Sequence, residues 1–216
     1  MATRAKPRGS ADTKDRLLDV AELLLAEYGI DGVSLRQIGA ATGQGNNSVV
    51  QYHFGDKAGL VREIIARRVE GFEPRRSDLL EAASKAGRLG DVRTLLEVIF
   101  LPLAEAVDER GRHVYARFMM EFLIRFQYQP GFQHPGWAAD SAATKAVMLL
   151  TQCLPDLSGL TLASRRINRV GGLFFIALVD RDNAIANGVA VEPEEIFMAD
   201  LFAMMEAAAK TPSPRT

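Results

Sequence analysis

Residues 43–57 read GQGNNSVVQYHFGDK. Two glycines and two asparagines separate an apolar-patterned segment from the next, and Gln51, Tyr52 and His53 then crowd together. A plain loop does not need the polar-aromatic cluster. An ordinary helix does not need the glycines, each of which costs a helix interior about 1 kcal/mol relative to alanine. Gly and Asn do suit a tight turn, because both enter backbone conformations that other residues avoid. A turn followed by a short helix presenting Gln, Tyr and His is the pattern of a helix-turn-helix, whose second helix enters the major groove of DNA. A solvated polar turn followed by a packed Tyr-His-Phe would account for the same residues, so the flanks must decide.

Working outward, a helical pattern begins at Asp12. Leu17, Val20, Ala21, Leu24, Leu25 and Tyr28 recur at spacings of three and four, Asp12 or Thr13 caps the start, and Gly29 ends it. Ser34-Leu35-Arg36-Gln37 fits a capping box, with Ser34 as N-cap and Gln37 reaching back. The short helix it opens closes at Gly43. A third helix over about 46–52 turns Val49 or Val50 and Phe54 inward. Asp56 caps a fourth, 57–70, with an apolar stripe of Leu60, Val61, Ile64 and Ile65. Between Asp31 and Asp56 there is no carboxylate, while Arg36 and Lys57 flank the gap. That is the local sign a phosphate surface requires. Inside the gap Asn46, Asn47, Ser48, Gln51, Tyr52 and His53 offer hydrogen bonds to base edges and phosphates; Asn and Gln can pair bidentately with adenine.

The segments AELLLAEYGIDGVSLRQIGAATG and NNSVVQYHFGDKAGL carry a resemblance to the tetracycline-repressor (TetR) family of bacterial transcription regulators, over about residues 12–68. The resemblance implies a three-helix DNA-binding head (12–56), a linking helix (57–73) and a helical ligand-binding and dimerisation body (74–210). It also implies that Ser34 and Lys57 touch phosphate, and that Asn46, Asn47, Ser48, Gln51, Tyr52 and His53 line the reading helix. Between Leu35 and Phe54 the chain is one residue longer than the family's usual spacing. Gln44 or Gly45 stands where a small apolar residue often closes the turn. The extra residue therefore falls in the Gly43–Asn47 turn.

Beyond Pro74 the pattern predicts longer helices near 75–87, 91–109, 111–128, 138–153, 160–187 and 193–209, with Gly/Pro-rich breaks between them. No segment alternates with period two, and there is no internal repeat. The expected class is all-α with about nine to ten helices, preceded by a flexible basic arm (1–11) and followed by a disordered tail (211–216). A helix-turn-helix reader usually works as a dimer on two half-sites. The stretch VGGLFFIALV is apolar all round, so Gly171, Gly172, Phe174, Phe175 and Leu178 are the candidate partner face, with Val147 and Leu150 contributing. A central helix of a single chain's core would show the same pattern. RHVYARFMMEFLIRFQYQ concentrates aromatic residues, which nominates Tyr115, Phe118, Met119, Phe122, Phe126 and Trp137 for an apolar pocket, with Arg117, Arg125 or His113 receiving a polar end. Such a stripe is also what plain core looks like.

Other functions find little support. The chain has 216 residues, 48% hydrophobic and 25% charged, with a formal net charge of -1, so a DNA surface must come from local segregation of charge. His53, His113 and His134 are far apart, there is no GxSxG or P-loop, and the lone Cys153 excludes a disulfide framework or a multi-cysteine metal site. Catalytic residues, metal and cofactor are therefore not expected. The basic N-terminus has no apolar run behind it, and the stretch Val170–Val179 is shorter than the roughly 20 residues that span a bilayer. The expectation is a cytoplasmic homodimer that binds a palindromic duplex operator and an unidentified small-molecule effector, and acts as a repressor by family resemblance. A helical adaptor that keeps the fold without binding DNA is the alternative.

Overall fold

The computed structural model describes residues 8–43, 48–130, 132, 138–154 and 160–212, the side chains of 8–11, 48 and 160–162 aside. These residues form α1 (Arg8–Tyr28), α2 (Leu35–Ala41), α3 (Ser48–Phe54), α4 (Lys57–Lys85), α5 (Val92–Ala104), α6 (Val114–Glu121), a π-helical turn (Phe122–Phe126), α7 (Ala142–Cys153), α8 (Leu160–Ala186) and α9 (Glu194–Lys210). No strand occurs among the described residues, as the all-α reading expected. The chain divides into two compact units, Met1–Arg68 with Glu121–Pro135, and Val69–Met120 with Gly136–Thr216.

In the first unit, Leu18, Glu22 and Leu25 follow one another at four and three residues along α1, so Glu22 lies on the inward face with Leu17 and Ala21. Leu17, Leu25, Ile30, Ile38, Val50, Leu60 and Ile64 fill the core. Glu22 keeps only 2% of its surface exposed. Arg68 of α4 grips it with a two-pronged fork, Nε to Oε2 at 2.9 Å and Nη2 to Oε1 at 2.6 Å. Arg67 stands 3.5 Å from the same carboxylate and 2.8 Å from Asp19. Lys14 pairs with Glu63 at 2.6 Å. Phe122 and Phe126 of the π-helical turn are buried, and the Phe132 ring lies 5.4 Å and 5.1 Å from theirs, with Arg62 over its face at 5.9 Å.

The second unit is built on α5. Nine of its thirteen residues are buried, Leu95, Leu96, Val98, Ile99 and Phe100 among them, and only the stripe Arg93, Glu97, Leu101 and Ala104 is half-exposed. It packs against α7, α8 and α9. Phe100 meets Phe174 of α8 at 5.1 Å between ring centroids, and Phe174 meets Phe202 of α9 at 6.2 Å. Asp91 caps α5, accepting the Thr94 hydroxyl at 2.6 Å and its N–H at 3.0 Å. Those two bonds, the hydroxyl's first, hold its carboxyl below the usual carboxylate range. Arg76 is 3% exposed, and its Nε and Nη2 both donate to the Ile99 carbonyl at 3.3 Å.

Several expected boundaries move. Residues 8–11, assigned to the basic arm, already belong to α1. Pro74 does not end the linking helix. The helix runs through it to Lys85, because Phe72, Arg76 and Ala83 are buried on either side and their packing outweighs the cost of about 3 kcal/mol for an interior proline. The helix expected over 91–109 stops at Ala104, and the one expected over 111–128 starts at Val114. Between them Asp108 accepts the N–H groups of Arg110 and Arg112, both at 2.9 Å, and Gly111 adopts φ +74°. This side-chain-closed turn competes with helix.

Two stability measurements test these contacts. Arg68→Ala should cost about 3 kcal/mol in denaturant unfolding, since it strips the fork from a buried carboxylate, whereas Glu22→Leu combined with Arg68→Met should lose far less. A loss below about 0.5 kcal/mol for Arg68→Ala, the level of an ordinary surface change, would remove the pair from the fold's supports. Asp91→Ala should cost about 1 kcal/mol at neutral pH. The folded carboxyl titrates below its unfolded value, so its contribution is complete above the unfolded value of about 3.9 and fades as pH falls through the folded one. Wild type and variant should accordingly converge in stability below about pH 4, and a gap independent of pH would contradict this account.

Candidate nucleic-acid interface

The interface is assembled from a cap, a short helix and two anchors. Ser34 and Gln37 form both arms of the capping box: the Ser34 hydroxyl accepts the Gln37 N–H at 3.3 Å, and the Gln37 side chain accepts the Ser34 N–H at 2.8 Å. The Ser34 hydroxyl also donates to Gln37 Oε1 at 2.7 Å. Ile38 is fully buried, which sets α2 on the core and turns Arg36 and Gln37 to solvent. At seven residues α3 is too short to be stable by itself, so tertiary contacts must hold it. Val50 and Phe54, four apart, supply them by facing inward. Gln51 and Tyr52 face outward as a consequence, and Tyr52 is 84% exposed. His53 is half-buried between them, its ring edge-on to Tyr52 at 5.3 Å and tilted to Phe54 at 5.9 Å. A phenol so far into solvent stabilises no core.

The step from α3 to α4 is tight. Gly55 takes φ +74°, and Asp56 caps α4 by accepting the Gly59 N–H at 2.7 Å. A Cβ on Gly59 would lie 2.0 Å from the Phe54 carbonyl oxygen, so only glycine permits this approach. Sequence reasoning did not single out Gly59; the available signal was a poor helix former in the first turn of a long helix. Lys57, expected at phosphate, donates to the Ile30 carbonyl at 2.8 Å. Its ammonium carries three N–H donors, so two remain for an anion. Gln44, Gly45, Asn46 and Asn47 lie outside the described residues, as does the side chain of Ser48.

The remaining nominated residues fall differently. Tyr115, Phe118, Met119 and Phe122 are buried core, and Arg125 is exposed beside Glu121 at 3.6 Å. His113 lines a cavity of 280 Å³ together with Arg181 and Phe197. There Asp182 accepts its backbone N–H at 2.7 Å and faces its Nδ1 at 2.8 Å. Trp137 is outside the described residues. Of the nominated partner face, Leu150, Phe174, Phe175 and Leu178 are buried in the chain's own core. A Cβ on Gly171 would meet the Phe100 ring of α5 at 3.3 Å, so this glycine serves packing inside the chain. Val147 is half-buried, and Gly172 faces open space. All-round hydrophobicity on α8 thus marks mostly internal packing.

Comparison with known proteins bears on the same segment. Residues 17–64 match the model of the bacterial regulatory proteins, tetR family. Over 88 residues the chain is 30% identical to the protein named Probable HTH-type transcriptional regulator YttP of Bacillus subtilis (strain 168); that stretch is 41% of this chain and 41% of the relative, so the match spans less than half of that protein. A crystal structure named for a TetR-family transcriptional regulator of Mesorhizobium loti MAFF303099 aligns over 94% of this chain and 96% of that one, at 17% identity and a TM-score of 0.45. The matched segment begins inside α1 and ends inside α4, and so takes in the capping box, α2, the turn and α3. The head, residues 17–64, is thus similar to that of the bacterial regulatory proteins, tetR family.

Proposed function

We propose that the chain is a cytoplasmic, homodimeric repressor that binds a two-fold symmetric operator in double-stranded DNA and releases it when the helical body takes up a small molecule. The observation that carries this reading is the outward face of α3. Gln51 and Tyr52 stand in solvent on a helix pinned by Val50 and Phe54, within a stretch free of carboxylates from Gly32 to Gly55. Gln51 is suited to adenine, the Tyr52 hydroxyl to phosphate or base, and Lys57 to a phosphate. Repression is carried over from the family resemblance. Release is a population shift: an effector acts only through its unequal affinity for the DNA-fitting state and for one in which α4 is displaced.

A partner copy is needed because one head reads only a few base pairs. Arg165, Arg169, Gly172, Ile176, Asp180 and Asn183 recur at four and three residues and form the outer stripe of α8, with Ile176 52% exposed. On α9, Ile196, Asp200, Ala203, Met204 and Ala207 form the corresponding outer stripe. Small residues beside exposed Ile and Met let helices approach closely, which supports pairing of two copies across this face. No helix among the described residues is long and apolar enough to cross a membrane.

Fluorescence anisotropy with duplex DNA tests the reading. Gln51→Ala should weaken the preferred duplex by about 1–3 kcal/mol and leave random duplex unchanged, while Lys57→Ala should weaken every duplex alike and flatten the salt slope by about one unit. Equal weakening of all sequences by Gln51→Ala would remove it as a base reader. In sedimentation, Ile176→Glu should give folded monomers, because it buries an unpaired charge only in the dimer. A folded Ile176→Glu dimer would move the interface off this face.

A further inference from the structure

A groove of 580 Å³ lies in the second unit between the later turns of α4 and α7. Leu80 of α4, Leu89 of the connection to α5, and Met148 and Leu149 of α7 give it an apolar lining, with Met148 57% exposed at its edge. Its volume falls within the range of roughly 300–1,000 Å³ typical of small-molecule sites.

The polar end of the groove is set by Glu73. One carboxylate oxygen accepts the N–H of Ala142, the first residue of α7. The other, Oε2, is buried and has no hydrogen-bond partner. Arg76, three residues on, is attracted to the Glu73 charge, but it turns its Nε and Nη2 to the Ile99 carbonyl, leaves its buried Nη1 without a partner and makes no hydrogen bond to that oxygen. Of the other ionised residues lining the groove, Glu81 pairs with Lys85 at 2.5 Å on the solvent side, which leaves Glu73 and Asp140 against Lys145. The lining itself thus sets two carboxylates against one ammonium, with the Arg76 guanidinium as a further charge drawn to Glu73. A buried carboxylate oxygen without a donor is costly, and what it lacks is an N–H. A quaternary ammonium has none to give, and a carboxylate ligand would add repulsion.

We propose that this groove binds a protonated amine with an apolar tail, the ammonium donating to Glu73 Oε2 and the tail lying along Leu80, Met148 and Leu149. The proposal deepens the effector-responsive reading above, and rests on that reading for its consequence at the DNA. Three probes share one tail and differ only in the head group: 4-phenylbutylamine, 4-phenylbutan-1-ol and 4-phenylbutyrate. Calorimetric titration of the full chain should show the amine binding about ten-fold or more tighter than the alcohol, with the carboxylate weakest, since loss of one partner from a buried charge pair commonly costs that much. Glu73→Gln should erase the preference for the amine. Ser77→Trp, a change at an exposed position on the groove wall, should exclude the amine and leave the circular dichroism spectrum unchanged. No binding of the amine by wild type, equal binding of all three probes, or undiminished amine binding by Glu73→Gln would each overturn the proposal. Duplex titration of the same samples reports on the regulator reading separately: protein that binds DNA and not the amine has lost this site alone.

Discussion

The first unit depends on a carboxylate that has almost no water. Glu22 sits among leucines on the inward face of α1, and a charge in that position is tolerable only if cations and hydrogen bonds replace its hydration. Arg68 supplies a fork of matched geometry and Arg67 a second charge, both from α4. The pair therefore fixes where α4 lies against α1. The glycine at 59 fixes how closely α3 can follow Phe54 into α4. Between those two constraints hangs a seven-residue helix with no stability of its own, and the direction in which Gln51 and Tyr52 point is set by them. The proposed chemistry of reading is on α3, but its geometry belongs to α1 and α4.

What could be read from the sequence divides along the range of the interactions. The capping box at Ser34, the cap at Asp56 and the inward positions of Ile38, Val50 and Phe54 are set within a few residues, and all appear as expected. The partner of Lys57 is 27 positions away, at the Ile30 carbonyl, and no local pattern announces it. In the body, hydrophobicity showed that α8 is buried but not by what. Its phenylalanines pack on Phe100 of the same chain, and α5 proved to be the helix that α7, α8 and α9 pack against. Pro74 and the Asp108 turn show the two directions of error. Packing carried a helix through a residue that breaks helices, and a side-chain turn cut short one that periodicity would have continued.

The same division separates the nominated pocket from the groove that exists. Aromatic density on α6 marks core, because large rings fill space wherever they are placed, and Tyr115 and Phe118 are buried. A cavity arises where two helices fail to close, which no single stripe reveals. The stripes of α4 and α7 that face one another are ordinary in sequence, and only their separation leaves the second oxygen of Glu73 without a donor. Likewise the outer stripes of α8 and α9 become visible only after the inner faces of both helices have been assigned to the core.

Whether the head reads base sequence is decided by selection of bound duplexes from a random library by the purified protein. A sequence-reading dimer should enrich a two-fold symmetric site whose half-sites are about one helical turn apart, or a multiple of it. Recovery of sequences no different from the input at low salt, from protein refolded free of any carried ligand, would contradict sequence reading by the head.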